Sequence, residues 1–158
     1  MLWSPWRYQY VKSATSAQGC LFCKLKEMRD EEAYIVYRGR FNFVVLNTFP
    51  YNSGHLMIAP YRHVESLEKM NDEELMELVK LINQSITALR KAVNPEGFNI
   101  GVNIGRPAGA GVPGHVHVHV VPRWTGDSNF MPVIAETKTL PIALSETYRL
   151  LKENWPTS

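Results

Sequence analysis

Three imidazoles stand at alternate positions, His115, His117 and His119, with Val116, Val118 and Val120 among and after them. On an extended chain, residues two apart point the same way about 6.6 Å from each other. The run therefore predicts a strand whose histidines line one face while its valines bury the other. Such a row admits two chemistries. Neutral imidazole binds metal ions, and His-x-His on a strand suits zinc or iron. It is also a nucleophile that needs no separate base at pH 7. A catalytic metal would want a carboxylate at hand, and no acid lies between Glu96 and Asp127. In the nucleophilic reading, the rings on either side disfavour protonation of the central one, and a protonated neighbour could hydrogen-bond a leaving oxygen. The glycine- and proline-rich stretch RPAGAGVPG (106–114) runs straight into the histidines. Its backbone N–H groups could approach phosphate oxygens without interference from a Cβ, although ordinary turns use the same residues.

The chain has two cysteines, Cys20 and Cys23, in the run GCLFC. In a reducing compartment that spacing reads as half a zinc site or a redox pair rather than a structural disulfide.

Length and composition set the frame for these groups. At 158 residues the chain fits one domain spanning 1–158. With 45% hydrophobic and 20% charged residues it is outside the range of disordered chains. A formal net charge of +2, with Lys and Arg scattered among acids, carries no broad footprint for a nucleic-acid backbone, whereas a small anion needs only a local field. No signal-peptide pattern opens the chain and no 18 apolar residues follow one another, so a cytoplasmic protein without a membrane anchor is expected.

The elements that must position the histidines follow from periodicity. Residues 1–19 have none and read as an irregular arm, followed by a short helix over about 24–32. AYIVYR (33–38) and FNFVVLN (41–47) read as a hairpin turning at Gly39, and HLMIAP (55–60) as a third strand. A long helix is predicted over 72–93, capped by Asn71 with Glu74 three positions on. Leu75, Leu78, Val79, Ile82, Ile86, Leu89 and Val93 give it one apolar stripe. Asn94-Pro95 ends it. In FNIGVNIG (98–105), Phe98, Ile100, Val102 and Ile104 form the greasy face of a fourth strand. The fifth is HVHVHVVP, ending at Pro122. A last helix over about 140–154 places Leu144, Tyr148 and Leu151 on one side.

The pattern His-φ-His-φ-His-φ-φ at 115–121 resembles the signature of the histidine-triad (HIT) superfamily. VVLNTFPYNSGHLMIAPYRHV (44–64) is similar to the family's stretch in which an Asn or Asp precedes a Gly-His strand by eight residues, here Asn47 and His55. GCLFC, NPEGFNIGVNIG and VPRWTGDSNF resemble the bacterial diadenosine tetraphosphate phosphorylase and hydrolase branch. The resemblance implies an α+β, HIT-like fold: a five-stranded, mainly antiparallel sheet with one long helix and one or two shorter ones, paired into a dimer.

It also implies roles. His117 would attack the α-phosphate of an adenine nucleotide, His119 would contact phosphate oxygens or the departing group, and His55 would support them from the next strand. Asn47 matches the ribose position and Asn103 a phosphate position. Many family members carry Gly-Gln-Ser or Gly-Gln-Thr in the phosphate loop, where this chain has Gly109-Ala110-Gly111. Backbone amides around Gly109 and Gly111, or Arg106 or Arg123, would then make those contacts. Some relatives hold a structural zinc through a pattern that Cys20, Cys23, His63 and His115 fit, and no organic cofactor is implied. Phosphorolysis of diadenosine tetraphosphate, with inorganic phosphate as acceptor, is the expected reaction. Its rivals are hydrolysis of diadenosine polyphosphates or nucleoside phosphoramidates, or nucleotide binding without catalysis.

Overall fold

The computed structural model describes residues 19–128 and 142–157. Five strands form where the β-branched and aromatic runs predict them: β1 (Ile35–Arg38), β2 (Asn42–Leu46), β3 (Leu56–Pro60), β4 (Gly97–Val102) and β5 (Val118–Arg123). They make one sheet in the order β1-β2-β3-β5-β4, antiparallel at every junction. Four α-helices accompany it among the described residues: α1 (Leu21–Leu25), α2 (Asp30–Ala33), α3 (Asp72–Val93) and α4 (Leu144–Asn154). The expected irregular arm falls, apart from Gly19, outside the described residues, as do residues 140–141 of the expected last helix. None of the described helices is long and apolar enough to cross a membrane.

β2 and β3 are buried along their whole length because both faces of the sheet are covered. On one face Val44, Leu46, Leu56, Ile58, Val118 and Val120 pack with Leu78, Leu81 and Leu89 of α3 and Leu151 of α4. On the other, Phe43, Val45, Met57 and Ala59 meet Cys20, Phe22, Ala33 and Val112. This double burial explains why these strands read as continuous apolar runs and not as alternation.

The capping box of α3 is complete: Asn71 Oδ1 accepts from the Glu74 N–H at 2.9 Å, and Glu74 Oε2 accepts from the Asn71 N–H at 2.9 Å. Asn94 closes the helix in the left-handed region (φ 45°) ahead of Pro95. One turn inside, Glu77 accepts from the backbone N–H groups of Arg40, Phe41 and Asn42, each at 2.7 Å, so the helix holds the β1–β2 turn.

Four expectations are corrected. The helix foreseen over 24–32 is two pieces, because Asp30, Glu31 and Glu32 suit the first turn of a new helix, α2, and would sit badly at the end of an old one. Val79 is 55% exposed and leaves the stripe, whose centre runs through Leu81, Ser85 and Ala88. Phe98 and Val102 join the core, but Ile100 and Ile104 are each 45% exposed, because β4 is the sheet edge and α3 lies over β2, β3 and β5. β5 begins at Val118, not His115, and continues through Pro122 to Arg123. Its pairing with β3 runs Leu56↔Val120, Met57↔His119, Ile58↔Val118, and the ladder stops as it nears Pro60, which has no N–H to give.

Candidate functional site

Cys20 is the N-cap of α1 and Cys23 lies within its single turn, so both sulfurs emerge on the same side of a short helix. The chain leaving β3 brings His63 to them, and the segment before β5 brings His115. The four ligand atoms lie within 4.8 Å of one another. Cys20 Sγ is 3.4 Å from His115 Nδ1, Cys23 Sγ is 3.4 Å from His63 Nδ1, and Cys23 Sγ is 3.7 Å from His115 Nδ1. Two donors at about 2.3 and 2.1 Å from a tetrahedral zinc would stand ~3.5 Å apart, which matches these separations.

The protonation pattern suits a cation as well. His115 Nε2–H donates to the Pro60 carbonyl at 2.8 Å, which leaves the lone pair on Nδ1, aimed at the sulfurs. Burial pushes this imidazole down to about 4, so it is neutral at pH 7. Burial and the adjacent Cys20 push the Cys23 thiol up, a crowding that a bound cation would relieve. The donor set and its enclosure fit a closed S2N2 site.

His117 lies beside this cluster and is 5% exposed. Its Nδ1–H donates to the His115 carbonyl oxygen at 2.9 Å, since that oxygen can only accept. The lone pair of the ring is therefore on Nε2. Phe22 of α1 packs on the imidazole with ring centroids 4.6 Å apart, and the same phenyl ring contacts His115 at 5.2 Å.

His119 follows on β5, opposite Met57 on one side and Gly101 on the other. A chain of hydrogen bonds sets its tautomer. The Tyr51 backbone N–H donates to His55 Nδ1 at 3.1 Å, so His55 carries its proton on Nε2. His55 Nε2–H then donates to His119 Nδ1 at 2.9 Å, and His119 keeps its own proton on Nε2. His55 is fully buried, with the Tyr51 ring stacked on it at 4.8 Å. His117 thus carries its lone pair on Nε2 and His119 an N–H on Nε2, on rings whose centroids are 4.8 Å apart.

Asn47 ends β2 against the start of β3: its N–H donates to the His55 carbonyl at 2.8 Å, and its Nδ2 is 3.4 Å from His55 Nδ1. Asn103 lies just beyond β4, with Nδ2 3.5 Å from the Gly109 carbonyl. Gly109 has φ 87°, a left-handed value that closes the short 3-10 turn Arg106–Ala108, and Gly111 follows in the same loop. A cleft of ≈ 490 Å³ opens on this face, lined by His119 and Asn103 together with Tyr51, Asn99 and Arg123. His117, Asn47, Gly109 and Gly111 are not among its lining residues.

The alternation of the three histidines concealed a division of labour: His115 turns into the cysteine cluster while His117 and His119 remain together. Phe22 and Tyr51 escaped the reading of the sequence, because an aromatic residue beside a cysteine or in a turn gives no sign of which ring it will touch. A clamp between Arg123 and Asp127 was also missed; its one sequence signal is the spacing of opposite charges just after the triad.

Comparison with known proteins agrees with this geometry. Residues 29–126 match the HIT domain model. The chain is 42% identical to the AP-4-A phosphorylase of Mycobacterium tuberculosis, over 98% of this chain and 83% of that one. It is 36% identical to an uncharacterised HIT-like protein of Methanocaldococcus jannaschii, over 68% of this chain and 81% of that one. Among solved structures, a Zn-bound histidine triad family protein from Mycobacterium smegmatis superposes with a TM-score of 0.70 at 25% identity, covering 88% of this chain and 94% of the other. On its sequence and its fold, the chain belongs to the HIT domain family.

Proposed function

We propose that this protein is a nucleotidyltransferase that cleaves dinucleoside polyphosphates, diadenosine tetraphosphate among them, by phosphorolysis through a nucleotidyl-histidine intermediate. The observation that carries the reading is the bond from His117 Nδ1–H to the His115 carbonyl, because it commits the lone pair to Nε2 on a ring whose centroid lies 4.8 Å from that of His119. His117 Nε2 attacks the α-phosphorus; a P–N bond forms, and the P–O bond to the β-phosphate breaks with its electron pair leaving on ATP. The ring becomes cationic with its proton still on Nδ1, where the His115 carbonyl dipole stabilises it. His119 Nε2–H hydrogen-bonds the departing oxygen, and His55 holds that ring in the donor tautomer. Inorganic phosphate then takes the AMP group from His117, giving ADP and restoring the neutral ring.

Asn47 is assigned to the ribose, and Asn103 with the backbone at Gly109 and Gly111 to the α-phosphate oxygens. Cys20, Cys23, His63 and His115 would hold a zinc ion whose contribution is structural, fixing α1 and the approach to β5. The 42% identity to a protein named as an AP-4-A phosphorylase supports the choice of substrate and acceptor. The exposed Met76 and Val79 of α3 and Ile100 of the edge strand β4 support a homodimer, and the expected compartment is the cytoplasm.

The test is to incubate the protein with diadenosine tetraphosphate with and without inorganic phosphate and to separate the products. Phosphate-dependent ADP together with ATP is expected. AMP formed at the same rate without phosphate would make the protein a hydrolase, and tight AMP binding without turnover would make it a binding module.

A further inference from the structure

The cleft on the open face of β4 and β5 extends well past His119. His119 lies opposite Gly101 and Arg123 opposite Gly97. Four residues apart on one strand, they share a face and stand about 13 Å from each other at ~3.3 Å per residue. Asn99, Asn103 and Ser128 add polar groups to the wall, and among the described residues no acidic side chain lines it.

Arg123 is fixed in place. Its Nε and Nη2 donate to the two oxygens of Asp127 at 2.6 and 2.7 Å, and its Nη1 donates to Asn99 Oδ1 at 2.7 Å. Asp127 is braced in turn by Asn52 Nδ2 at 2.7 Å and the Trp124 N–H at 3.1 Å, and its side chain is 10% exposed against 42% for Arg123. A guanidinium has five N–H donors, so these three bonds leave two on the more exposed partner. The clamp has already removed the rotamer freedom that an arginine ordinarily loses when it binds an anion.

We propose that this cleft is a phosphate subsite in which Arg123, preset by Asp127 and Asn99, binds the phosphate groups of the dinucleoside polyphosphate beyond the scissile bond. The proposal rests on the assignment of His117 as nucleophile. With the α-phosphorus at His117, the remainder of the polyphosphate passes His119 and enters the cleft. Because Asp127 offsets the guanidinium charge, recognition is by hydrogen-bond geometry at short range, the planar fork meeting phosphate oxygens in pairs. The span from His119 to Arg123 then makes the cleft a gauge of chain length, favouring substrates long enough to reach the arginine. Phosphate chemistry alone would equally suit the inorganic acceptor, and the two sources separate kinetically.

The experiment compares diadenosine tri-, tetra- and pentaphosphate as substrates, with KM for inorganic phosphate measured at saturating dinucleotide. Losing a charge-assisted bond pair, Arg123→Gln is expected to raise KM for the tetra- and pentaphosphate about tenfold, with less effect on the triphosphate and none on KM for inorganic phosphate. Gly97→Glu is expected to act in the same direction. Gly97 lies opposite Arg123 and a Cβ there meets nothing within 4 Å, so this change sets a competing carboxylate beside the guanidinium and away from His119, and it serves if Arg123→Gln fails to fold. A rise confined to KM for inorganic phosphate, or an equal loss on all three substrates, overturns the proposal. If the wild-type protein turns over none of these substrates, the nucleophile assignment fails, and calorimetric titration with inorganic tripolyphosphate still reads the cleft. Binding that Arg123→Gln weakens about tenfold upholds the subsite, and equal or absent binding in both proteins overturns it.

Discussion

The ring of His117 and the main chain of His115 are joined by a 2.9 Å hydrogen bond from Nδ1–H to the carbonyl oxygen. His115 thereby joins two features at once, its side chain belonging to the Cys20/Cys23/His63 cluster and its backbone holding the His117 ring. A residue two positions away sets which nitrogen of the His117 ring carries the lone pair.

Replacement of His117 by Ala is expected to lower kcat about 10³-fold or more, as removal of an attacking group does. The ring is buried against Phe22, so its loss should lower the melting temperature while the circular dichroism spectrum is retained. Acid quench of the wild-type protein with labelled substrate should yield a phosphorus–nitrogen adduct that the variant lacks; turnover surviving in His117→Ala would contradict the mechanism.

His55→Phe keeps an aromatic ring in a fully buried position and removes the donor to His119. With the orienting bond gone, kcat should fall roughly 10–100-fold while KM stays within about twofold, the scale usual for partners that act by holding a reactive ring. An unchanged kcat would mean that the bond between His55 and His119 does not hold the donor tautomer.

Metal analysis of purified protein should find one zinc per chain, and dialysis against a strong chelator should lower the melting temperature by roughly 10 °C, as expected for losing a few kcal/mol in a domain of this size. Cys20→Ser should reproduce the loss without chelator. A protein that purifies metal-free, with a melting temperature insensitive to chelator, would leave the four residues as a reduced packing cluster.

Glu74 joins two elements, closing the cap with Asn71 and receiving Arg62 Nε and Nη2 at 2.9 and 2.8 Å. The Arg62 guanidinium, with help from the Asn71 N–H, holds its carboxyl below the usual range against the opposing effect of burial. A carboxylate whose folded value is depressed adds stability that is complete above its unfolded value, near 4.3, and that fades as pH falls through the folded one. Glu74→Gln should therefore destabilise by about 1–2 kcal/mol at pH 7, with the gap to wild type narrowing below pH ~4. Denaturant melts at the two pH values check this, and a gap that does not change with pH would show that the charge contributes nothing.

Much of this protein was legible in one dimension. Period-two and period-3.6 patterns record which way successive side chains point, so they revealed the five strands, the long helix and its cap, and the inward valines of the triad run. The spacing of Cys20 and Cys23 and the resemblance at 44–64 and 115–121 pointed to residues that the fold brings together. Where the prediction failed, position within the assembled sheet had decided the outcome. Ile100 obeys the alternation and is nonetheless exposed, because strand order makes β4 an edge, and Val79 sits on a helix whose covered arc depends on which strands lie beneath it.

The sequence by itself determined the inventory: three alternating imidazoles, a cysteine pair, and the local directions of the chain around them. Only the tertiary structure decided which ring meets which partner. The Pro60 carbonyl draws His115 into the cysteine cluster, while Tyr51 and His55, 68 and 64 positions before His119, fix that ring's proton through a relay from the connection between β2 and β3. A tautomer is set by the partner at hydrogen-bond distance, and such partners are supplied by folding, not by neighbours along the chain.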